Sequence, residues 1–114
     1  LTNIALLMTD SFREYDLLFR YGGEEFAAVL MDVDDQTCKK VLNRFRQKVE
    51  NFEFPHHDHI TVSIGYTDFN HSHSVERLIS RADRALYYCK HHGRNCVHRY
   101  QTLRKEGLIQ SKKT

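Results

Sequence analysis

Seven residues, Arg20-Tyr21-Gly22-Gly23-Glu24-Glu25-Phe26, constrain this chain more than any others. Short apolar runs flank them, Asp16-Leu17-Leu18-Phe19 before and Ala27-Ala28-Val29-Leu30-Met31 after. A Gly-Gly pair between two such runs reads as a tight β-hairpin, because glycine takes positive φ without steric cost. A hairpin does not by itself need two adjacent carboxylates past its turn. Side chains alternate along a strand, so Glu24 and Glu25 should point to opposite faces unless the turn distorts them. Crowded like charges repel, and a cation would relieve that repulsion. The plain alternative is a solvated hairpin tip.

The chain has 114 residues, enough for one domain with a core but not for two. Its net charge is +2, with Lys and Arg spread along the chain, which argues against a dedicated nucleic-acid binder. Cys38, Cys89 and Cys96 are odd in number and stand at no metal-site spacing, so they read as reduced thiols in a cytosolic protein. No apolar run reaches membrane-spanning length, and the start does not resemble a signal peptide.

Along the chain, Leu1, Ile4, Ala5, Met8 and Phe12 recur at helical spacing over residues 1–15, as the back half of a helix. Strands are expected over residues 16–21 and 25–31, the second apolar throughout and so buried on both faces. Asp34 or Asp35 then caps a helix over residues 36–52, with Cys38, Val41, Leu42, Phe45, Val49 and Phe52 as its stripe. Residues 59–66 alternate, with Ile60, Val62 and Ile64 on one side and Thr61 and Ser63 on the other, as in a half-buried strand. Ser74 caps a further helix with the stripe Leu78, Ile79, Ala82, Ala85, Leu86 and Cys89, which Gly93 ends. Residues 95–100 suit a last short strand, and 101–114 read as a polar, flexible tail after a domain spanning 1–100. This order is close to a split β-α-β, ferredoxin-like plan without its first strand, which should leave an edge or gap in the sheet.

The hairpin motif resembles the signature of GGDEF-domain diguanylate cyclases in its Glu-for-Asp form. Two further blocks resemble the family in the right order: Thr61-Val62-Ser63-Ile64-Gly65, and Ala82-Asp83-Arg84-Ala85-Leu86-Tyr87-Tyr88-Cys89-Lys90 with Gly93-Arg94-Asn95. The resemblance runs from residue 1 to about 98. It implies an α+β, palm-like nucleotidyl-cyclase fold whose first strand and first-helix start lie outside this sequence. It also implies condensation of two GTP molecules into cyclic di-GMP across a homodimer, each 3′-hydroxyl attacking the other nucleotide's α-phosphate.

By the same resemblance, Gly22 and Gly23 let the backbone approach the phosphates. Glu24 is a Mg²⁺ (or Mn²⁺) ligand, and Glu25 a second metal-site carboxylate that helps deprotonate the attacking hydroxyl. Lys90 and Arg94 match the basic pair that holds the terminal phosphates; without the family they would be solvated charges at a helix end. Arg13-Glu14-Tyr15-Asp16 fits the Arg-x-x-Asp pattern of a product-inhibition site, with Arg44 from the following helix as its third member. The alternative there is an ordinary surface Arg–Asp pair.

The family's front part, with a metal-binding Asp and guanine-reading residues, is not in this sequence, so the chain alone is expected to be inactive and to fold poorly. The parent protein would carry an upstream regulatory domain, and could be membrane-anchored with this domain in the cytoplasm. The alternative function is a non-catalytic cyclic di-GMP receptor, against which the intact Gly-Gly-Glu-Glu-Phe speaks. An RNA-binding module would need exposed sheet aromatics that Ala27-Ala28-Val29-Leu30 does not supply. The histidine pairs, such as His56/His57, stand in loops without zinc-site spacing and read as surface residues.

Overall fold

The computed structural model describes residues 7, 17–22, 24–30, 34–55 and 59–110. Strands β1 (Leu17–Gly22) and β2 (Glu25–Val29) form the antiparallel hairpin. Arg20 pairs with Phe26 but Gly22 with Glu25, so β1 carries one extra residue just before its turn. Gly22, expected in the turn, closes β1 opposite Glu25, and Glu24 lies in the turn itself. Phe26, Ala27, Ala28 and Val29 are all fully buried, as their unbroken apolar run predicts.

Helix α1 (Asp35–Asn51) starts where Asp34 Oδ1 accepts the Thr37 N–H at 2.7 Å. Its buried residues Cys38, Leu42, Phe45 and Val49 recur every three or four positions and face the sheet. They cluster with Phe26 and Ala28 of β2 and with Ile64 and Tyr66 of β3 (Ser63–Tyr66). Phe26 and Phe45 meet edge to face with ring centroids 5.5 Å apart. Leu7 is half-buried in a helical position and packs against the same cluster; the rest of the expected helix over 1–15 lies outside the described residues.

Helix α2 (Val75–His91) begins at Ser74, whose Oγ accepts the Arg77 N–H at 3.1 Å. It covers the other face of β3. A Cβ placed on Gly65 would lie 2.0 Å from the Leu86 nitrogen and 2.3 Å from the Ala82 carbonyl oxygen, so helix backbone rests directly on the strand. This corrects the half-buried strand expected over 59–66. The strand is shorter, and all four of its residues are buried, Ser63 and Gly65 beneath α2 rather than in solvent.

The sheet order is β1-β2-β3-β4, with β4 (Val97–Arg99) parallel to β3 and β3 parallel to β2. The apolar edge expected from the absent first strand is therefore paired: Phe26 stands beside Ile64 and Ala28 beside Tyr66. The arrangement is an α+β, palm-like fold of the expected class. Among the described residues no helix is long and apolar enough to cross a membrane.

Two further expectations change. Residues Tyr100–Lys105 form a helix, α3, where a flexible tail was expected. Tyr100 and Leu103, three residues apart, bury against Ala85, and the guanidinium of Arg81 stands 5.0 Å from the Tyr100 ring centroid. Cys89 and Cys96, expected as thiols, are joined in a disulfide with Cα atoms 6.2 Å apart, while Cys38 is buried in α1 and takes no part. The end of α2 and the turn after it bring the two sulfurs together, a closure that a spacing of seven does not announce.

Polar side chains lock the strand ends. Arg99 Nε bonds Asp68 Oδ1 at 2.8 Å and stands 3.2 Å from Asp35 Oδ1, which also accepts the Tyr66 hydroxyl at 2.8 Å. The bond to Asp68 raises the Arg99 pKa, and burial followed by the Asp35 bond raises that of Tyr66.

Asp34 supplies a pH signature. The Thr37 N–H holds its carboxyl below the ordinary aspartate value of 3.8. Because the folded pKa is the lower one, the stabilisation is complete above the unfolded value and disappears as pH falls through the folded one. Urea denaturation across pH is expected to show wild type more stable than Asp34→Ala near neutrality, with the difference shrinking only below about 3.8.

Candidate active site

The hairpin tip, the last turn of α2 and the loop beyond it converge on the start of β3. Ser63 is the meeting point. Its N–H donates to the Glu24 carbonyl at 2.8 Å, and its Oγ accepts the Asn95 N–H at 3.2 Å. The next N–H, of Ile64, donates to the Cys96 carbonyl at 2.9 Å. Two stretches distant in sequence, the hairpin tip and the loop at Asn95-Cys96, are thus held by adjacent groups of one buried strand.

Glu24 sits in the turn and is exposed, while Glu25 opens β2 and is half-buried. The two carboxylates therefore have different surroundings, as strand alternation suggested. Glu25 Oε1 lies 3.2 Å from Lys90 Nζ. A partly exposed pair of this kind contributes on the order of 1 kcal/mol, small enough for a polyanion to displace. Lys90 stands in the last turn of α2, where the helix dipole favours a cation.

Glu25 and Lys90 line a cleft of about 320 Å³ together with Asp83, Leu86 and Tyr87. The four α2 residues recur at offsets of three, four and seven, which sets them on one helix face. Asp83 and Tyr87 were not among the candidates read from the sequence. Their spacing to Lys90 carried the signal, hidden because the buried stripe of α2 explains the helix without them.

Arg94 is exposed and lies beyond the helix, which ends at His91. Lys90 is therefore carried by the last helical turn and Arg94 by the loop that follows it. There Gly93, Arg94 and Asn95 take φ values of 107°, 57° and 48°. Such conformations are uncommon outside glycine, so something must hold them. Asn95 does so: its Nδ2 donates to Glu50 Oε2 at 2.9 Å and its Oδ1 accepts from Arg46 at 3.0 Å. Arg46 is itself braced by Asn43 and Glu50.

Gly22 ends β1 at the register shift, and Gly23 lies outside the described residues. Arg44 is exposed on α1 and lines a groove with Leu7, Gln47, Lys48 and Phe52. Arg13 and Asp16, its expected partners, lie outside the described residues. Hard carboxylate oxygens at Glu24 and Glu25 suit Mg²⁺, but among the described residues no third carboxylate joins them within ligand range. A cation there would take its remaining ligands from water or a bound phosphate.

Residues 1–96 match the family described as Diguanylate cyclase, GGDEF domain. Diguanylate cyclase DosC of Escherichia coli (strain K12) is 36% identical over 101 residues, covering 85% of this chain and 22% of that protein. Diguanylate cyclase A of Treponema denticola is 34% identical over 112 residues, covering 95% of this chain and 29% of that protein. The chain thus spans less than a third of the length of these two relatives. Among solved structures, the active GGEEF domain of a diguanylate cyclase from Vibrio cholerae superposes with a TM-score of 0.72 and 29% identity, covering 88% of this chain and 65% of that one. The GGDEF domain of DgcB from Caulobacter crescentus, solved in complex with c-di-GMP, gives 0.69 and 26%, covering 86% and 61%.

The loop geometry is open to direct test. Asn95→Ala removes two side-chain bonds to charged partners and puts a Cβ-bearing residue without them at positive φ, which should cost about 2–4 kcal/mol in urea denaturation. Asn95→Gly loses the same bonds but accepts the backbone, and should cost about 1 kcal/mol less. Equal losses in the two variants would mean that the left-handed conformation is not what Asn95 supports.

Proposed function

The chain belongs to the GGDEF family of diguanylate cyclase domains, and from that membership we propose that it forms the phosphate-facing part of a site condensing two GTP into cyclic di-GMP. The observation that carries this reading is the Glu25–Lys90 pair, a carboxylate and a cation 3.2 Å apart at the mouth of a cleft beside the hairpin. An incoming triphosphate offers Lys90 a stronger partner than one carboxylate does. The exchange frees Glu25 as negative charge accumulates nearby, so substrate entry and carboxylate release are one event.

In this scheme Gly22 and Gly23 leave room for phosphate oxygens along the backbone, and Lys90 and Arg94 hold the terminal phosphates. Glu24 and Glu25 would hold Mg²⁺, or Mn²⁺, whose bound charge neutralises developing negative charge on the phosphoryl oxygens. Glu25, once released from Lys90, accepts the proton of the attacking 3′-hydroxyl. The new bond forms between that oxygen and the α-phosphorus, and pyrophosphate leaves with the electrons of the broken P–O bond. Two nucleotides must meet, so two copies of the domain supply one GTP each. Arg13, Asp16 and Arg44 form the product-inhibition site, for which the exposed position of Arg44 beside an open groove is favourable. An upstream regulatory domain in the parent protein would govern the pairing of the two copies.

The test is cyclic di-GMP formation from GTP and Mg²⁺ by the longer protein that contains this chain. Wild type should form product, and Glu24→Ala should lose at least about a hundredfold in kcat. Lys90→Ala should raise KM for GTP at least about tenfold, equivalent to about 1.4 kcal/mol of binding. No product, with cyclic di-GMP still bound and released by Arg13→Ala, would replace this reading with that of a receptor.

A further inference from the structure

A second constellation, apart from the carboxylates, lies where α2 hands over to β4. Sγ of Cys89, Sγ of Cys96 and a ring nitrogen of His98 all fall within 4.8 Å of one another. Cys89 comes from the last turn of α2, Cys96 from the loop and His98 from β4. Cys89 is buried, while Cys96 and His98 are half-buried, so the group is anchored on one side and open to water on the other.

What converges these atoms is more than the S–S bond. The Cys96 carbonyl accepts from Ile64, the Cys89 carbonyl accepts from Arg94 at 3.0 Å, and His98 stands beside Gly65 in the parallel β3–β4 register. The His98 ring is met edge-on by Tyr88, centroids 5.1 Å apart, and Tyr88 stacks on His92 at 3.8 Å. None of those contacts runs through the S–S bond, so reduction removes none of them directly and yields two thiols beside the imidazole.

Two thiolates and an imidazole are a donor set for Zn²⁺, with hard cations such as Mg²⁺ disfavoured. Zn–S bonds of about 2.3 Å in a tetrahedral site place two sulfurs roughly 3.8 Å apart. Cysteines whose Cα atoms are 6.2 Å apart reach that separation by side-chain rotation. Water can fill the fourth position from the open side.

We infer that Cys89, Cys96 and His98 of the reduced protein bind one Zn²⁺ ion, and that metal and disulfide are mutually exclusive states of this one site. Hydrogen peroxide interconverts them in one direction. One thiolate attacks a peroxide oxygen, giving a sulfenic acid and hydroxide; the second attacks that sulfur and expels another hydroxide. Two electrons pass from the sulfurs to the O–O bond, and the zinc, stripped of two ligands, leaves. A thiol reductant reverses the oxidation. This inference stands apart from the cyclase reading, because neither glutamate takes part.

The test uses the full chain, reduced with a phosphine and titrated anaerobically with Co²⁺. One Co²⁺ per chain should bind, with thiolate-to-cobalt charge-transfer absorption and tetrahedral d–d bands that one equivalent of Zn²⁺ bleaches. Cys96→Ser should lose most of the charge-transfer band, and His98→Ala should weaken Co²⁺ binding at least about tenfold. Peroxide-treated chain should show no bands until it is reduced again. A second measurement needs no variant: one equivalent of Zn²⁺ should protect Cys89 and Cys96 of reduced wild type from alkylation, while the same amount of Mg²⁺ should not. Reduced wild type without the charge-transfer band, or alkylated equally fast with and without Zn²⁺, would overturn the inference.

Discussion

Everything functional in this fold depends on helix α2 lying on a residue that has no side chain. At Gly65 the backbone of α2 comes so close that a single methyl group would overlap Leu86 N and Ala82 O. That approach fixes the height and rotation of the helix over β3. One turn beyond Leu86 stands Lys90, and its partner Glu25 lies on the neighbouring strand, opposite Ser63. One residue before Lys90 stands Cys89, against Cys96. The Lys90–Glu25 pair and the sulfur pair are therefore set by the same contact.

The strand that provides this seat also ties in the other parts. Ser63 holds the hairpin through Glu24 and the left-handed loop through Asn95, and Ile64 holds the start of β4 through Cys96. Hydrogen bonds buried in this way each contribute only about 1 kcal/mol net, but leaving one unmade costs about 1–3 kcal/mol. The arrangement is consequently specific more than strong. Charged partners complete it: the Arg46–Glu50 pair on α1 braces Asn95 from below, so α1 shapes the loop without touching the cleft.

Much of this was legible in residue patterns, and the exceptions have physical reasons. Asp34 and Ser74 announced their helices because capping is a local interaction, and the hairpin was readable because two short apolar runs flank a local turn signal. The pair Glu25 and Lys90, and with them Glu24 and Arg94, came from motif resemblance, since no local rule brings residue 25 to residue 90. Ser63 looked solvent-facing because alternation was read against one covering layer, whereas α2 covers the second face. Cys89 and Cys96 looked like separate thiols because their meeting depends on where α2 ends and how sharply the chain reverses. Helix α3 escaped notice because Tyr100 and Leu103 make too short a stripe to show a period.

The contact at Gly65 is tested most directly by urea denaturation of Gly65→Ala in the full chain. A methyl group 2.0 Å from a helix nitrogen cannot be absorbed by a side-chain rotation, so α2 must lift from β3. A loss of at least about 2 kcal/mol is predicted. A variant within about 0.5 kcal/mol of wild type would show that the helix does not rest on this glycine, and that the placement of Lys90 over Glu25 has another cause.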